Sequence, residues 1–341
     1  MPLLLLVVGL SLIAFTLFDA LWTTIAPHGA GPLSKRIARG WWTASLWVHR
    51  RRAGGAHGLL AFAGPALLVV AFLVWVGLLW AGWTLLFSAE PGAVVGSSSN
   101  ESADLAGRVY YVGFVLFTLG TGDYVPVGGT WEVLSALASL SGLFVVTLAI
   151  TYVLSVVSAV AAKRQLAGSI HSLGETPADL VRRAWDGSGF AGLDQHLPSL
   201  GSALEHHNQR HLAYPVVHYF HSTDQQTALG PAVAALDDAL LILTEGVAPD
   251  ARPAPAIVEP TRRTVASFLD TLGDAFIEPS DEVPPTPDLA AVASAGVPTE
   301  SAVDFERAVE REAHRRRLLR GLVEDGGWSW AAVASARPGA R

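Results

Sequence analysis

Three apolar stretches constrain this chain more than any other feature, because each is long enough to cross a bilayer as a helix of about 20 residues. They cover about residues 3–23, 59–87 and 131–162. The second carries no charge, and the third carries only Glu132, near its start. No positively charged segment precedes the first stretch, so we interpret it as a retained helix and not as a secretory signal. The sequence therefore predicts an all-α membrane protein with three transmembrane helices.

The part of the chain after Lys163 is polar and predicts a soluble helical domain. Amphipathic patterns predict helices at about residues 177–184, 200–212, 214–228, 231–245 and 260–276, and a charged last helix at about 303–323. Residues 247–260 and 279–299 are rich in Pro, Ala and acidic residues, which predicts linkers. No alternating pattern is strong enough to predict a β-sheet.

Most basic residues near the three stretches lie on one side, and Arg108 is the only basic residue of the loop on the other side. The loop after the first stretch holds six of them, and another two follow the third stretch: Lys35, Arg36, Arg39, Arg50, Arg51, Arg52, Lys163 and Arg164. The positive-inside rule then predicts an outer N-terminus and a cytoplasmic C-terminus. We expect a multi-pass protein of a bacterial cell membrane.

The basic loop has its own helical pattern. Apolar residues recur at steps of three and four, while the cations lie off that stripe: Leu33, Ile37, Trp41, Ala44 and Val48 against Lys35, Arg36 and Arg39. One interpretation is a helix in the membrane interface, with its cations near anionic lipid headgroups. The other is a helix that packs on neighbouring subunits.

Residues 108–126, between the second and third stretches, are too few to cross the membrane twice. Residues 109–117 are apolar and aromatic and predict a helix of about two turns. The sequence then reads Thr118-Leu119-Gly120-Thr121-Gly122-Asp123, and alternate glycines disfavour a helix there. Irregular backbone at membrane depth is tolerated where it is buried in protein or lines a watery path. We therefore predict a re-entrant loop.

The residue types of this loop suit the passage of a cation. A dehydrated cation needs oxygen ligands in place of its water. Backbone carbonyls supply them if alternate residues turn the same way, which glycine permits through positive φ. The Thr118 hydroxyl can add a further oxygen, and the negative end of the short helix favours a cation in the inner cavity.

The segment from Tyr110-Tyr111 to Pro126 resembles the pore loop of potassium channels, whose filter usually reads T-V-G-Y-G-D. The helix–loop–helix order of residues 59–162 is similar to the two-transmembrane pore module of that family. The resemblance implies a homotetramer that conducts K⁺ passively, with no cofactor and no metal beyond the permeant ions. It implies the following roles: Thr118, Leu119, Gly120, Thr121 and Gly122 form the filter, Asp123 its outer mouth, Tyr110 and Tyr111 its support, and Gly142 a gating hinge.

Two departures from that pattern affect the filter. Thr121 stands where the family has a tyrosine that packs against the pore-helix aromatics and holds the filter's width. Phe114 and Phe117 stand where many relatives have polar residues, and one hypothesis is that they fill the space that Thr121 leaves. K⁺ is therefore expected on resemblance, and a weakly selective or sodium-passing channel stays open. For Gly142, close helix packing is an alternative to a hinge.

The resulting organisation has five parts. They are an N-terminal transmembrane helix (1–26), a cytoplasmic interfacial segment (27–58), a pore module (59–164), a helical cytosolic domain (165–278), and a linker with a charged C-terminal helix (279–341). A further alternative, from another class of function, is a non-conducting scaffold or sensor that acts through its cytosolic domain.

Other classes of function are disfavoured. The chain has no cysteine, and its net charge of −7 gives no footprint for nucleic acid. It has no G-x-G-x-x-G after a strand, no G-x-S-x-G, no H-E-x-x-H and no P-loop, so we expect no enzyme.

Three further groups of ionisable residues receive structural interpretations. We expect Asp19 to reach water or to pair with an arginine of the following loop. The histidines of the soluble part are expected at the surface or at subunit contacts, although a metal site or proton sensor is an alternative: His206, His207, His211, His218 and His221. The arginines of the last helix are expected to be solvated and paired within that helix: Arg315, Arg316, Arg317 and Arg320.

Overall fold

The computed structural model describes residues 2–26, 29–51, 57–120, 122–274 and 276–335. It divides into two compact units. The first, which we call the membrane unit, comprises Met1–Trp41 and Pro65–Val157. The second, the C-terminal unit, comprises Trp42–Gly64 and Ser158–Arg341.

Helices dominate the amino-terminal half of the chain. They are α1 (Pro2–Ile25), α2 (Pro32–Arg51), α3 (His57–Phe87), α4 (Leu105–Leu116) and α5 (Gly129–Leu173). Of these, α1, α3 and α5 are long and apolar enough to span a membrane. The prediction of three such helices is confirmed, although α5 extends eleven residues beyond the predicted end at residue 162.

Small residues allow α1 and α3 to approach closely. A Cβ added to Gly9 would lie 2.7 Å from the carbonyl oxygen of Gly82. Close approach at small residues is a common way for helices to pack in membranes, because lipid offers no hydrophobic drive for association.

A short antiparallel sheet pairs the segment before α4 with the segment after it. It pairs β1 (Val94–Gly96) with β2 (Tyr124–Pro126), and Val95 lies opposite Val125. The expectation that no sheet forms was therefore wrong at this point. Strands of three residues are too short to produce an alternating pattern that a sequence could display.

The C-terminal unit is helical and has its own apolar core. Its further helices are α6 (Pro177–Ala184), α7 (Leu193–Ala213), α8 (Leu229–Leu241), α9 (Pro255–Gly273), α10 (Leu289–Ser294), α11 (Ala302–Arg311), α12 (Ala313–Asp325) and α13 (Ala331–Ala334). The longest two, α7 and α9, pack on each other. The Thr261 hydroxyl of α9 donates to the carbonyl of Leu197 in α7 at 2.9 Å.

Four predictions in this unit were wrong. One concerns α9, which begins at Pro255, inside the linker predicted for residues 247–260. The helix predicted for residues 214–228 is replaced by two 3-10 turns, Pro215–Tyr219 and Gln225–Thr227, because Pro215 cannot continue the ladder of α7. The linker predicted for residues 279–299 contains α10. The last helix is broken at Glu312 into α11 and α12.

The expectation of solvated arginines on α12 was wrong for Arg315 and Arg316, whereas Arg317 is exposed. Arg316 is fully buried, and its Nε and Nη2 donate to Asp238 of α8 at 2.9 and 3.0 Å. Arg315 pairs with the adjacent Asp237. Arg320 does pair within its helix, with Glu324 at 2.7 Å. Adjacent arginines on α12 thus bind adjacent aspartates on α8, which fixes the register of the two helices.

Candidate functional site

The candidate site begins at α4, which opens on a side-chain cap. The Asp104 carboxylate accepts a hydrogen bond from the Gly107 amide at 2.8 Å, which satisfies one of the free amides of the first turn. The cap starts the helix four residues before the predicted start at Val109. Because of it, α4 has three turns where two were expected.

Trp80 of α3 holds one side of α4. Its indole N–H donates to the carbonyl of Val109 at 2.9 Å. The ring lies so close that a Cβ added to Gly113 would be 2.5 Å from it. Phe117 packs edge-on against the same ring, with centroids 6.2 Å apart. The Phe117 ring is therefore engaged by α3 just where α4 ends.

Contacts with α5 hold the other side of α4. A Cβ added to Gly142 would lie 2.1 Å from the carbonyl oxygen of Leu116, so only glycine fits there. The Tyr111 and Ser135 hydroxyls share a hydrogen bond of 2.5 Å, and the Tyr111 ring meets Phe87 edge-on. Close packing thus accounts for Gly142, and α5 continues unbroken through it.

The backbone leaves the helical path directly after α4. The amide of Leu119 donates to the carbonyl of Phe114 at 2.9 Å, and that of Thr118 to Val115 at 3.1 Å. Thr118 and Gly120 then have φ values of +57° and +70°. Positive φ is rare for a β-branched residue such as threonine and needs support from its surroundings.

The segment that follows α4 has exposed residues and open space beside its glycines. Leu119 is 67% exposed, and nothing lies within 4 Å of a Cβ added to Gly120 or Gly122. Thr121 lies outside the described residues, so the hypothesis that Phe114 and Phe117 fill the space beside it stays a hypothesis. The described residues on either side of Thr121 are therefore exposed, and they follow a helix end that is itself packed on both sides.

The far end of this segment is tied to α4 and to the small sheet. The Tyr110 hydroxyl donates to the Asp123 carboxylate at 3.3 Å, and the Ser97 amide donates to the Asp123 carbonyl at 2.9 Å. The Tyr110 ring packs on Phe114 with centroids 4.4 Å apart. The predicted supporting residues thus divide: Tyr111 is buried against α3 and α5, and Tyr110 contacts the segment itself.

Sequence reasoning missed the tryptophans that orient this site. Besides Trp80, the indole of Trp83 donates to the Ser141 hydroxyl of α5 at 3.0 Å. The indole of Trp131 donates to Glu90 at 3.2 Å. A usable signal was present, because a tryptophan in an apolar helix brings an N–H that needs a partner.

Asp19 is the polar centre of the membrane unit, and its predicted partners were wrong. It is fully buried in α1. One carboxylate oxygen accepts from the amide of Leu33 at 2.8 Å, and the other accepts from the hydroxyl of Ser34 at 2.6 Å and the indole of Trp75 at 2.9 Å. Because Leu33 and Ser34 lie in the first turn of α2, Asp19 caps that helix from another helix.

The interpretation of the histidines as surface residues was wrong for His207 and His211, which are each 2% exposed within the C-terminal unit. Burial, with smaller effects from nearby cations, lowers the pKa of His207 to about 3. Burial and the neighbouring His218 lower the pKa of His211 well below its usual value. Both rings are therefore neutral at pH 7. Among the described residues, no three His, Asp or Glu side chains are grouped so that they could hold a metal ion.

Comparison with known proteins places the chain among membrane proteins. It is 36% identical over 326 residues to the membrane protein YdjJ of Bacillus subtilis (strain 168), described as uncharacterized, and the match covers 95% of this chain and 94% of the relative. No protein-family model and no solved structure matches the chain. Likeness at this level over nearly the full length of both proteins establishes common descent, so this chain belongs to the family of that Bacillus membrane protein.

Proposed function

We propose that the chain is the subunit of a passive cation channel whose filter is formed by the backbone of residues 118–122. The observation that carries the proposal is an exposed segment with positive φ at the alternate residues Thr118 and Gly120, directly after a braced short helix. Alternate residues of this kind can turn successive carbonyls toward one side, which is what a dehydrated cation requires. In this proposal α4 is a re-entrant pore helix, with α3 outside it and α5 toward the pore.

The exposure of the segment argues for several subunits around one path. Backbone groups without partners are costly in hydrocarbon, so they need either protein or water around them. Four copies, each contributing one segment, would surround a central path with oxygen atoms on all sides. The apolar surface of α5 supports the same arrangement, because large side chains such as Leu140 and Leu154 are 61% and 68% exposed. We therefore propose a homotetramer.

The packing around α4 explains how the segment would keep its width without the usual tyrosine. Trp80, Gly142 and Tyr111 fix the helix end on both sides. The hydrogen bond from Tyr110 to Asp123 fixes the outer end. The filter would then be held at its two ends, which fits a small residue such as Thr121 in between. The C-terminal end of α4 would favour a cation in the inner cavity through its dipole.

The proposed orientation has the N-terminus outside and the C-terminal unit in the cytoplasm of a bacterial cell, following the basic residues. The exposed cations of α2, Lys35 and Arg36, would then lie near anionic headgroups of the inner leaflet. No chemical reaction is part of the proposal, and the chain is not proposed to be an enzyme or to need a cofactor beyond permeant ions.

Potassium is the favoured ion because the segment resembles the potassium-channel filter. Thr121 favours a second candidate, a weakly selective or sodium-passing channel. Reversal potentials in planar bilayers, with K⁺ on one side and Na⁺ on the other, separate the two. A potassium channel gives a reversal potential near the K⁺ equilibrium value, and Thr121→Tyr should keep or increase that preference. Equal permeability of the wild type to both ions would remove the potassium assignment and keep the channel.

The test of conduction itself is ion flux in liposomes that contain the purified full-length protein. We expect a K⁺ gradient to collapse within seconds to minutes, with little passage of Cl⁻. If no monovalent cation passes, the channel proposal is wrong, and a non-conducting scaffold or sensor acting through the C-terminal unit takes its place.

A further inference from the structure

A cavity in the C-terminal unit, with a few polar groups in a mostly apolar lining, is not used by the proposed channel. It has a volume of about 60 Å³, which is room for roughly four water-sized groups at about 15 Å³ each. Side chains from α5, α7, α9 and α12 and from the turns before α8 line it. The chemistry of that lining indicates what the cavity can hold.

Two buried histidines line the cavity with ring nitrogens that have no hydrogen-bond partner. Both ring nitrogens of His211 and the Nδ1 of His207 are buried and unpaired. Buried polar groups without partners cost about 1–3 kcal/mol each. A neutral imidazole always carries one N–H, so His211 has both a donor and an acceptor to offer. Such groups are expected where a ligand completes their hydrogen bonds.

The amino-terminal end of α8 opens onto the same cavity. Leu229 and Gly230, the first two residues of the helix, line it, and no side chain caps this helix end. The first amides of a helix point outward along its axis and carry partial positive charge. α8 has 13 residues and an uncapped start, and it offers the amides of Leu229 and Gly230, since Pro231 has no N–H. Two such amides favour an anion when other donors converge there.

The ionic groups nearby favour an anion over a cation. Lys163 lines the cavity, and its ammonium donates to the carbonyls of Phe220 at 3.0 Å and Val217 at 3.1 Å. Among the residues that the structure describes, no carboxylate lines the cavity, so a metal cation would meet an ammonium and a helix N-terminus with nothing to balance its charge. Asp325 does not line the cavity, and its carboxylate lies 2.7 Å from Nε2 of His218.

We propose that this cavity binds a small monovalent anion, of the size of chloride or formate, through His207, His211 and the first amides of α8. Lys163 supplies the positive potential without contacting the anion directly, since its N–H groups are directed to carbonyls. The site shares no residue with the proposed ion path, so anion binding can be tested separately from conduction.

Binding should become tighter as the pH falls. Lys163 of α5, His218 of the 3-10 turn and Arg210 of α7 are the positively charged or titratable groups that act on the two rings. Burial, together with these groups, opposes protonation of the two rings in the empty cavity. A bound anion favours the positively charged form of a histidine, so one of the two rings takes up a proton when the anion binds.

The test uses the full-length protein in detergent, with tryptophan fluorescence as the readout of thermal unfolding. Sodium formate is titrated against sodium gluconate at constant ionic strength, since gluconate is too large for the cavity. We expect a saturable rise in Tm of about 5 °C at a hundredfold excess over Kd with formate alone. The rise should be larger at pH 6 than at pH 8. Equal shifts with both anions, or no shift with either, would overturn the proposal.

Two phenylalanine variants sharpen the result. His211→Phe keeps the ring volume and removes both nitrogens, so the formate shift should disappear. His206→Phe changes an exposed neighbour on the same helix and should leave the shift unchanged. If His211→Phe keeps the wild-type shift, the proposal is wrong. If that variant does not fold, the formate and gluconate comparison on the wild type decides the question, because it needs no variant.

Discussion

Asp19 in the membrane unit and His211 in the C-terminal unit are both buried polar side chains, and they differ in their partners. Asp19 accepts three hydrogen bonds of 2.9 Å or shorter from the backbone and side chains around it. His211 has none on either ring nitrogen. A buried polar group with hydrogen-bond partners favours one structure, and one without partners costs stability. We therefore infer that Asp19 has a structural role and that His211 binds a ligand.

The largest effect on stability is expected from a lower pH in a buffer without small anions, and it tests this comparison. The pKa values of His207 and His221 in the folded chain are about 3 and 4, below the 6.5 of an unfolded histidine. The unfolded state therefore binds more protons between these values, and stability is full above pH 6.5 and falls as the pH decreases. At pH 5 each histidine should cost about 2 kcal/mol.

Denaturation of the full-length chain at pH 7.5 and pH 5 measures this loss, and hydrogen exchange corrected for intrinsic rates locates it. We expect α7 and α9 to lose protection at pH 5 while α1 and α3 keep theirs. A chain with both His207→Phe and His211→Phe should show a smaller pH dependence. Equal losses of protection in the two units would contradict the assignment.

Replacing Asp19 by leucine should give the next largest effect. The change leaves the Leu33 amide, the Ser34 hydroxyl and the Trp75 indole buried without an acceptor. At about 1–3 kcal/mol for each unsatisfied group, with partial relaxation, we expect a loss of about 3–4 kcal/mol. Asp19→Asn is the matched control, since it keeps one acceptor oxygen and should lose less. A near-neutral Asp19→Leu in denaturant titrations would show that the network is not structural.

Packing at Gly142 should have a smaller effect. Alanine there places a methyl group against the carbonyl of Leu116, and such overpacking costs about 1–3 kcal/mol. Gly77→Ala in α3 is the control, because nothing lies within 4 Å of its added Cβ and alanine favours a helix. The two variants should move Tm in opposite directions. If Gly142→Ala also raised Tm, α4 and α5 would not approach as closely as described.

The smallest loss of stability is expected for His211→Phe in the absence of anions. The change removes two unpaired nitrogens at nearly constant volume, and the cost of burying them with it, so the free energy of unfolding should stay the same or rise. Chemical denaturation at pH 7.5 measures it. A loss of 3 kcal/mol or more would mean that His211 has structural partners, and the contrast with Asp19 would fail.

The sequence predicted the membrane helices well, because a run of 20 apolar residues has few alternatives to a spanning helix. It also predicted the break after Leu116, where Gly120 and Gly122 follow an apolar half-helix. It did not predict the partners of Trp80 or Asp19. Those partners come from other helices, and spacing along a single helix carries no information about them.

The C-terminal unit was predicted less well for a related reason. The charged pattern of α12 resembled a solvated helix because the aspartates that bind Arg315 and Arg316 lie about 80 residues earlier, in α8. His207 and His211 were assigned to the surface because histidine is intermediate in burial. Their burial follows from the packing of α7 against α9, which no local pattern shows.

The central claim, that residues 118–122 form an ion path, is tested most directly by K⁺ flux through two glycine variants. Gly120 and Gly128 both have positive φ, at +70° and +85°, and open space around an added Cβ. Alanine therefore costs each about 1–2 kcal/mol in backbone strain, while only Gly120 lies in the segment. We predict that Gly120→Ala loses at least nine-tenths of the flux in liposomes and that Gly128→Ala keeps most of it. Equal flux from the wild type and Gly120→Ala would contradict the account.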